Sequence, residues 1–166
     1  MKKNHVLHPQ EAVLVHIKSR IGEGPDQEEM EQTCQGTVTK IGKRFVLAYE
    51  EDMGVQEKTM TRLWITSEEV RLVRRGPVRT TFVFRSQEST LCRYRTEDIS
   101  LEFMLWTQDI ILIIKKQGLV GLRLFYRLSQ KNDLGTVYQM EIDLKRMRNN
   151  GIIGECQDEA IEGESR

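Results

Sequence analysis

Apolar residues recur at every second position in short runs along most of the chain, and turn residues separate the runs. This period of two predicts half-buried β-strands rather than helices. Val13, Val15 and Ile17 alternate with Leu14, His16 and Lys18, after which Gly22, Gly24, Pro25 and Asp26 supply a turn. A long polar run follows, whose sparse apolar side is Met30, Cys34 and Val38. Ile41-Gly42-Lys43 reads as a tight hairpin connection into a strand with Phe45, Leu47 and Tyr49 on one face. Thr59, Thr61, Leu63 and Ile65 line one side of the next strand, and Val70 and Leu72 one side of its successor. Gly76-Pro77 then divides that strand from Val78, Thr80, Phe82 and Phe84.

In the second half, Ile99, Leu101, Phe103 and Leu105 share one face, and Ile110, Leu112 and Ile114 are expected on a following strand. Val120, Leu122, Leu124, Tyr126 and Leu128 oppose Gly121, Arg123, Phe125 and Arg127. Asn132 to Gly135 turns the chain into Tyr138, Met140, Ile142 and Leu144. The pattern makes roughly ten strands with connections too short for crossover helices, hence an antiparallel meander. So many strands would leave exposed edges unless the sheet closed into a barrel. The fold expected is therefore an all-β, mainly antiparallel barrel in one domain over residues 1–147. Residues 148–166 lose the alternation and are rich in acids, which predicts a flexible acidic tail.

Composition narrows the chemistry. Lysine plus arginine and aspartate plus glutamate both total 25, so the whole molecule offers no general attraction to polyanions. Cys34, Cys92 and Cys156 are odd in number and not motif-spaced, which predicts reduced thiols and a cytoplasmic location. The amino terminus lacks the apolar run of a signal peptide, and no segment reaches the length of a membrane helix. Phosphate-loop, dinucleotide, nucleophile-elbow and zinc motifs are missing, so no catalytic residue, metal site or cofactor is expected. His5, His8 and His16 are read as solvated rather than as metal ligands, and Cys92 as an apolar filler. Glu50-Glu51 and Glu68-Glu69, whose side chains alternate between faces, are expected at the solvated surface.

Several short pieces occur in an order that resembles the bacterial YwiB-like family, a domain of unknown function with a calycin-like β-barrel. They are the Tyr-Glu-Glu at Tyr49 to Glu51, the strand starting at Thr59 and the Val73-Arg74-Arg75-Gly76 turn. Phe82 to Phe84, the Tyr94-x-Thr96 pair and Thr107 complete the series. The resemblance spans about residues 11–147. After Thr96 the chain departs from it, with Glu97-Asp98-Ile99-Ser100 where proline and glycine are usual. It implies a closed or nearly closed barrel and brings no established catalytic residues.

Candidate site residues come from parity. Seven arginines fall between residues 71 and 95, with Glu88 the sole acid in that span. If the apolar residues point inward, then Arg79, Arg85, Arg93 and Arg95 point outward, while Arg74 continues the inward series of Val70 and Leu72. A guanidinium inside a barrel mouth needs a partner: a carboxylate, carbonyls, water or an anionic ligand. Tyr49, Thr59, Thr61, Thr80, Tyr94 and Thr96 are expected on the same inward side, above an apolar floor of Phe82, Phe84, Leu101 and Leu112. Such a lining suits a small anionic or amphipathic ligand, and a non-enzymatic binding module is the leading reading. The alternative is a macromolecular interaction protein that applies the outward arginines Arg79, Arg85, Arg93 and Arg95 to nucleic acid or an acidic partner. Membrane partners are not expected, and the oligomeric state is left open.

Overall fold

The computed structural model describes residues 9–51, 57–148 and 151–152. Ten strands run in chain order: β1 (Glu11–Ile21), β2 (Glu28–Ile41), β3 (Arg44–Glu51), β4 (Thr59–Ile65), β5 (Glu69–Arg75), β6 (Arg79–Arg85), β7 (Glu88–Arg95), β8 (Ser100–Lys115), β9 (Gly118–Ser129) and β10 (Thr136–Arg148). Each pairs antiparallel with the next, and β10 returns to pair with β1 from Ile21↔Tyr138 to Val13↔Arg146. The sheet is thus a closed ten-strand antiparallel barrel, which removes the edges an open meander would expose. A two-residue strand, β11 (Gly151–Ile152), pairs with the end of β10. The rest of the expected acidic tail, with Cys156, lies outside the described residues, as do His5 and His8.

The hairpin at Ile41 forms as expected. Ile41 pairs with Arg44 across a two-residue turn, and Gly42 takes the left-handed φ of 62° that such a turn requires at its first central position. Gly36 on β2 serves a different purpose. A Cβ there would lie 2.4 Å from the Ala48 carbonyl oxygen and 3.0 Å from Tyr49 Cβ, so glycine lets β2 press closely onto β3.

Two bulges correct the reading of the second half. Residues 100–115 are a single strand, β8, and not two. Thr107 pairs with Tyr126 and Asp109 with Phe125, so Gln108 is an extra residue and the inward face shifts from odd positions (Leu105, Thr107) to even ones (Ile110). The β6–β7 turn covers this bulge: Gln87 donates from its backbone N–H to the Thr107 carbonyl (2.7 Å) and from Nε2 to the Gln108 carbonyl (2.9 Å). On β9, Ile113 faces Gly121 and Ile114 faces Leu119, which leaves Val120 as the extra residue. Leu119 therefore points inward beside Leu122, in place of Val120, and Ile114 is exposed. Ile99, expected in the strand, lies before β8 and is also exposed.

One half of the barrel is filled. Val13, Val15, Leu47, Leu63, Ile65, Leu72, Phe84, Leu105, Leu122, Leu124 and Ile142 are buried almost completely and belong to one continuous apolar cluster. No helix among the described residues is long and apolar enough to cross a membrane.

Candidate functional site

The inward positions singled out by parity form one rung across the sheet. Gly36 pairs with Tyr49, Tyr49 with Thr61, Thr61 with Arg74, Arg74 with Thr80, and Thr80 with Tyr94, which pairs in turn with Leu101. Six side chains from Tyr49 to Leu101 thus share a level inside the barrel because all stand on the same pleat. This rung marks where the dense core gives way to open space.

Arg74 has its partner within the chain. Its Nε donates to Glu51 Oε2 at 3.0 Å, and the two side chains are only 14% and 4% exposed. Thr61 Oγ1 donates to the same carboxylate oxygen, and Gln32 Nε2 donates to Oε1 at 3.3 Å. Expected at the surface, Glu51 is instead buried, because it lies two residues beyond inward Tyr49 on β3. Glu50, on the opposite parity, is exposed as expected. Burial opposes the charge on Arg74, but Glu51 outweighs it through both attraction and hydrogen bonding, so its pKa is raised. Arg74 makes its hydrogen bond through Nε, and its terminal nitrogens bond no described residue.

Around this pair the environment is aromatic and largely buried. Burial, with Glu51 nearby, pushes the Tyr49 hydroxyl well above its ordinary range, and Arg74 only partly offsets this. Tyr126 is raised mainly by burial, again with Arg74 opposing. Burial and Glu51 push the Cys34 thiol up to about 11.

Above the pair lies a cavity of about 520 Å³. Arg74 and Glu51 lie at its base with Gln32, and Tyr94, Phe82 and Tyr126 stand beside them. Its walls are mainly apolar: Ile17 and Ile21 from β1, Met30 from β2, Leu101 and Phe103 from β8, Leu128 from β9, and Tyr138 and Met140 from β10, with Glu31 of β2 a further charged group in the lining. Ser19 is the one small polar group on the β1 wall. An aromatic stack links this lining to the core, with Tyr126 parallel to Tyr138 (5.2 Å) and edge-on to Phe84 (4.9 Å).

Not every expected residue reaches this cavity. Arg74 and Tyr94 line it, while Tyr49 and Thr61 stand behind the ion pair. Thr80 is buried with its hydroxyl donating to the Arg93 carbonyl (2.6 Å), and Thr59 is fully buried with no hydrogen-bond partner for its hydroxyl among the described residues. Thr96 lies outside. Its Oγ1 accepts from the Ile99 N–H (3.1 Å), and its backbone N–H donates to the Ile99 carbonyl, so it shapes the β7–β8 turn. Of the expected apolar floor, Phe82 and Leu101 line the cavity, whereas Phe84 and Leu112 pack below it. The walls from β1, β9 and β10 were not foreseen as a site, because only the closing β1–β10 register brings them opposite Arg74.

The outward arginines face away from the cavity as parity required, and Arg79, Arg85, Arg93 and Arg95 are all exposed. Arg85 is bound by Glu69 (2.7 Å) and Arg93 by Glu102 (2.9 Å). His16, exposed on β1, contacts Glu31 at 2.5 Å. Cys34 and Cys92 carry free thiols, and Cys92 is buried in the core.

A closed antiparallel barrel, packed at one end and open at the other, is the class of molecule that this geometry defines. The chain belongs to the family described as Domain of unknown function (DUF1934), which it matches over residues 15–142. Its structure is similar to that of the ywiB protein from Bacillus subtilis, with a TM-score of 0.72 and 21% sequence identity. The match covers 84% of this chain and 94% of the other, and it shows a shared fold. A search of curated proteins returns no match.

Proposed function

We propose that the protein is a non-enzymatic binding module that holds one small amphipathic molecule in the open half of the barrel. The observation that carries this reading is the apolar cavity of about 520 Å³ with a hydrogen-bonded Arg74–Glu51 pair at its base. Its size falls within the few hundred to about 1,000 Å³ usual for small-molecule sites, and its make-up, mostly apolar with a few convergent polar groups, is the usual one. The apolar body of the ligand would lie against Phe103, Leu128, Tyr138 and Met140, with its polar head above the ion pair.

Glu51 changes what that head should be. A lone arginine would favour an anion, but here the charge is already balanced, and an anionic head would compete with a carboxylate that three donors hold in place. A neutral or zwitterionic head suits the site better, accepting from the Arg74 terminal nitrogens without displacing Glu51. We infer a cytoplasmic setting for this binding, which the free thiols of Cys34 and Cys92 support.

Titration with a polarity-sensitive naphthyl dye tests the reading. Ser19→Phe adds a ring into the cavity without removing core packing and should abolish dye enhancement while leaving the fold intact by circular dichroism. Equal dye binding by wild type and Ser19→Phe, or none by either, would rule out a ligand in this cavity.

A further inference from the structure

A second concentration of chemistry lies on the outer face of β4 to β7. Residues 59–95 carry eight arginines against three glutamates, and of the eight only Arg74 turns inward. With Arg85 and Arg93 held by Glu69 and Glu102, the exposed Arg71, Arg75, Arg79 and Arg95 form no ion pair among the described residues. The chain is neutral overall, so this is a segregation of charge. Acids gather on the other side, where Glu29, Glu31, Glu141 and Asp143 pair with His16, Lys18, Arg20 and Arg123.

Arg79 and Arg95 are direct cross-strand partners. Two guanidiniums so placed stand on one face of the sheet about 5 Å apart at Cβ, an arrangement that destabilises a sheet unless an anion lies between them. A groove of about 820 Å³ passes over this pair and continues along Arg75, Val73, Thr81 and Leu91. Arg75 and Val73 also border the next hollow, about 370 Å³, where Arg71 and Trp64 lie. Trp64 faces outward beneath the Arg62 guanidinium, 6.0 Å from its ring. On the far side of the arginine pair, Glu57 and Glu97 border a third hollow but pair with neither arginine. The result is a shallow basic track that crosses the strands from Arg95 to Trp64.

We propose that this track binds single-stranded nucleic acid, with phosphates on Arg75, Arg79 and Arg95 and bases against Leu91 and Trp64. Arginine forks match phosphate oxygens two at a time, and an exposed sheet face with an aromatic side chain accepts unpaired bases of any sequence. A duplex would need an element protruding into its groove, and the β4–β7 face offers only strands and short turns. An acidic peptide would satisfy the charges but not the aromatic end of the track.

The test is fluorescence anisotropy of a labelled single-stranded RNA of about twelve nucleotides, within the range of single-strand site sizes. Neutralising three phosphates should give a slope of log affinity on log salt of about −2. Arg79→Glu should weaken binding at least about tenfold at low salt. The same change places a glutamate opposite Arg95 and should raise the melting temperature by about 1–3 °C. A purely structural role for Arg79 could not move the two readouts in opposite directions. Should Arg79→Glu not fold, Arg95→Gln serves instead, with the same loss of affinity in direction. Ser19→Phe should keep full RNA affinity, because the track is separate from the cavity. No RNA binding at low salt, affinity indifferent to salt or to either arginine substitution, loss of affinity in Ser19→Phe, or equal competition by a polyglutamate peptide would each overturn the inference.

Discussion

Glu51 and Arg74 are the residues on which the interior turns. Each is buried, and each is tolerated because the other is present: a charge stripped of its counterion in this setting would keep its desolvation cost and lose its compensation. Arg74→Met should therefore destabilise the fold by about 3–5 kcal/mol by leaving the Glu51 carboxylate uncompensated. The double variant Arg74→Met with Glu51→Gln should recover most of that loss, and a double-mutant cycle in urea would measure the coupling. Additive effects of the two changes would mean that the pair is not coupled. Acidity follows the same environment. Burial and Glu51 hold the Cys34 thiol protonated to about pH 11, against 9.0 for a solvated thiol, so its alkylation at pH 8 should be slower than that of a free cysteine. Because this pKa is raised on folding, the stabilisation is complete below about pH 9 and is lost as pH rises through about 11. The buried hydroxyls of Tyr49 and Tyr126 shift the same way and should extend the loss above that range. Urea midpoints measured from pH 7 to 11 should fall at the alkaline end, and a flat profile would contradict the burial of these groups.

Strands set where these residues can act, and bulges reset the count. Alternation alone placed Tyr49, Thr61, Arg74, Thr80 and Tyr94 on one face, and the registers join them in one rung. Glu51 is legible by the same parity, two residues beyond inward Tyr49, although the alternating Glu50-Glu51 pair is expected at the surface. The bulge at Gln108 was not legible. The switch from inward Leu105 to inward Ile110 has the same signature as a turn between two strands, and only pairing with β9 separates the alternatives. Deleting Gln108 would let Asp109 follow Thr107 in a regular ladder with Ile110 and Leu112 still inward, so the cooperative melt should persist, with a modest fall in melting temperature from loss of the carbonyl that Ser86 and Gln87 bind. Gly36 is the tighter constraint. In Gly36→Ala, the new methyl would meet the Ala48 carbonyl, so β2 must withdraw from β3 at a cost of about 1–3 kcal/mol. That shift would carry Gln32 away from Glu51, so dye affinity should fall along with the melting temperature. A melting temperature unchanged by Gly36→Ala would show that the two strands have room to spare.

At the scale of the whole molecule, two asymmetries organise the barrel. Its interior is packed from Val13, Leu47 and Phe84 at one end and opens around Arg74 at the other. Its exterior separates arginines on β4 to β7 from the paired acids of β1, β2 and β10. The barrel itself was legible because ten alternating segments with short connections have few ways to avoid exposed edges. The cavity was only half legible. The β3–β7 side follows from local parity, whereas Ile17, Ser19, Tyr138 and Met140 join it through the pairing of the first strand with the tenth. Closure is a long-range property, and the pattern along any one strand does not encode it. The central claim is that the open half holds a molecule, and native mass spectrometry of gently purified protein tests it most directly. Wild type should carry a single small adduct that Ser19→Phe lacks and that Arg74→Met together with Glu51→Gln retains weakly or not at all. A wild-type chain at its bare sequence mass, or an adduct that persists when Ser19→Phe fills the cavity, would contradict the account.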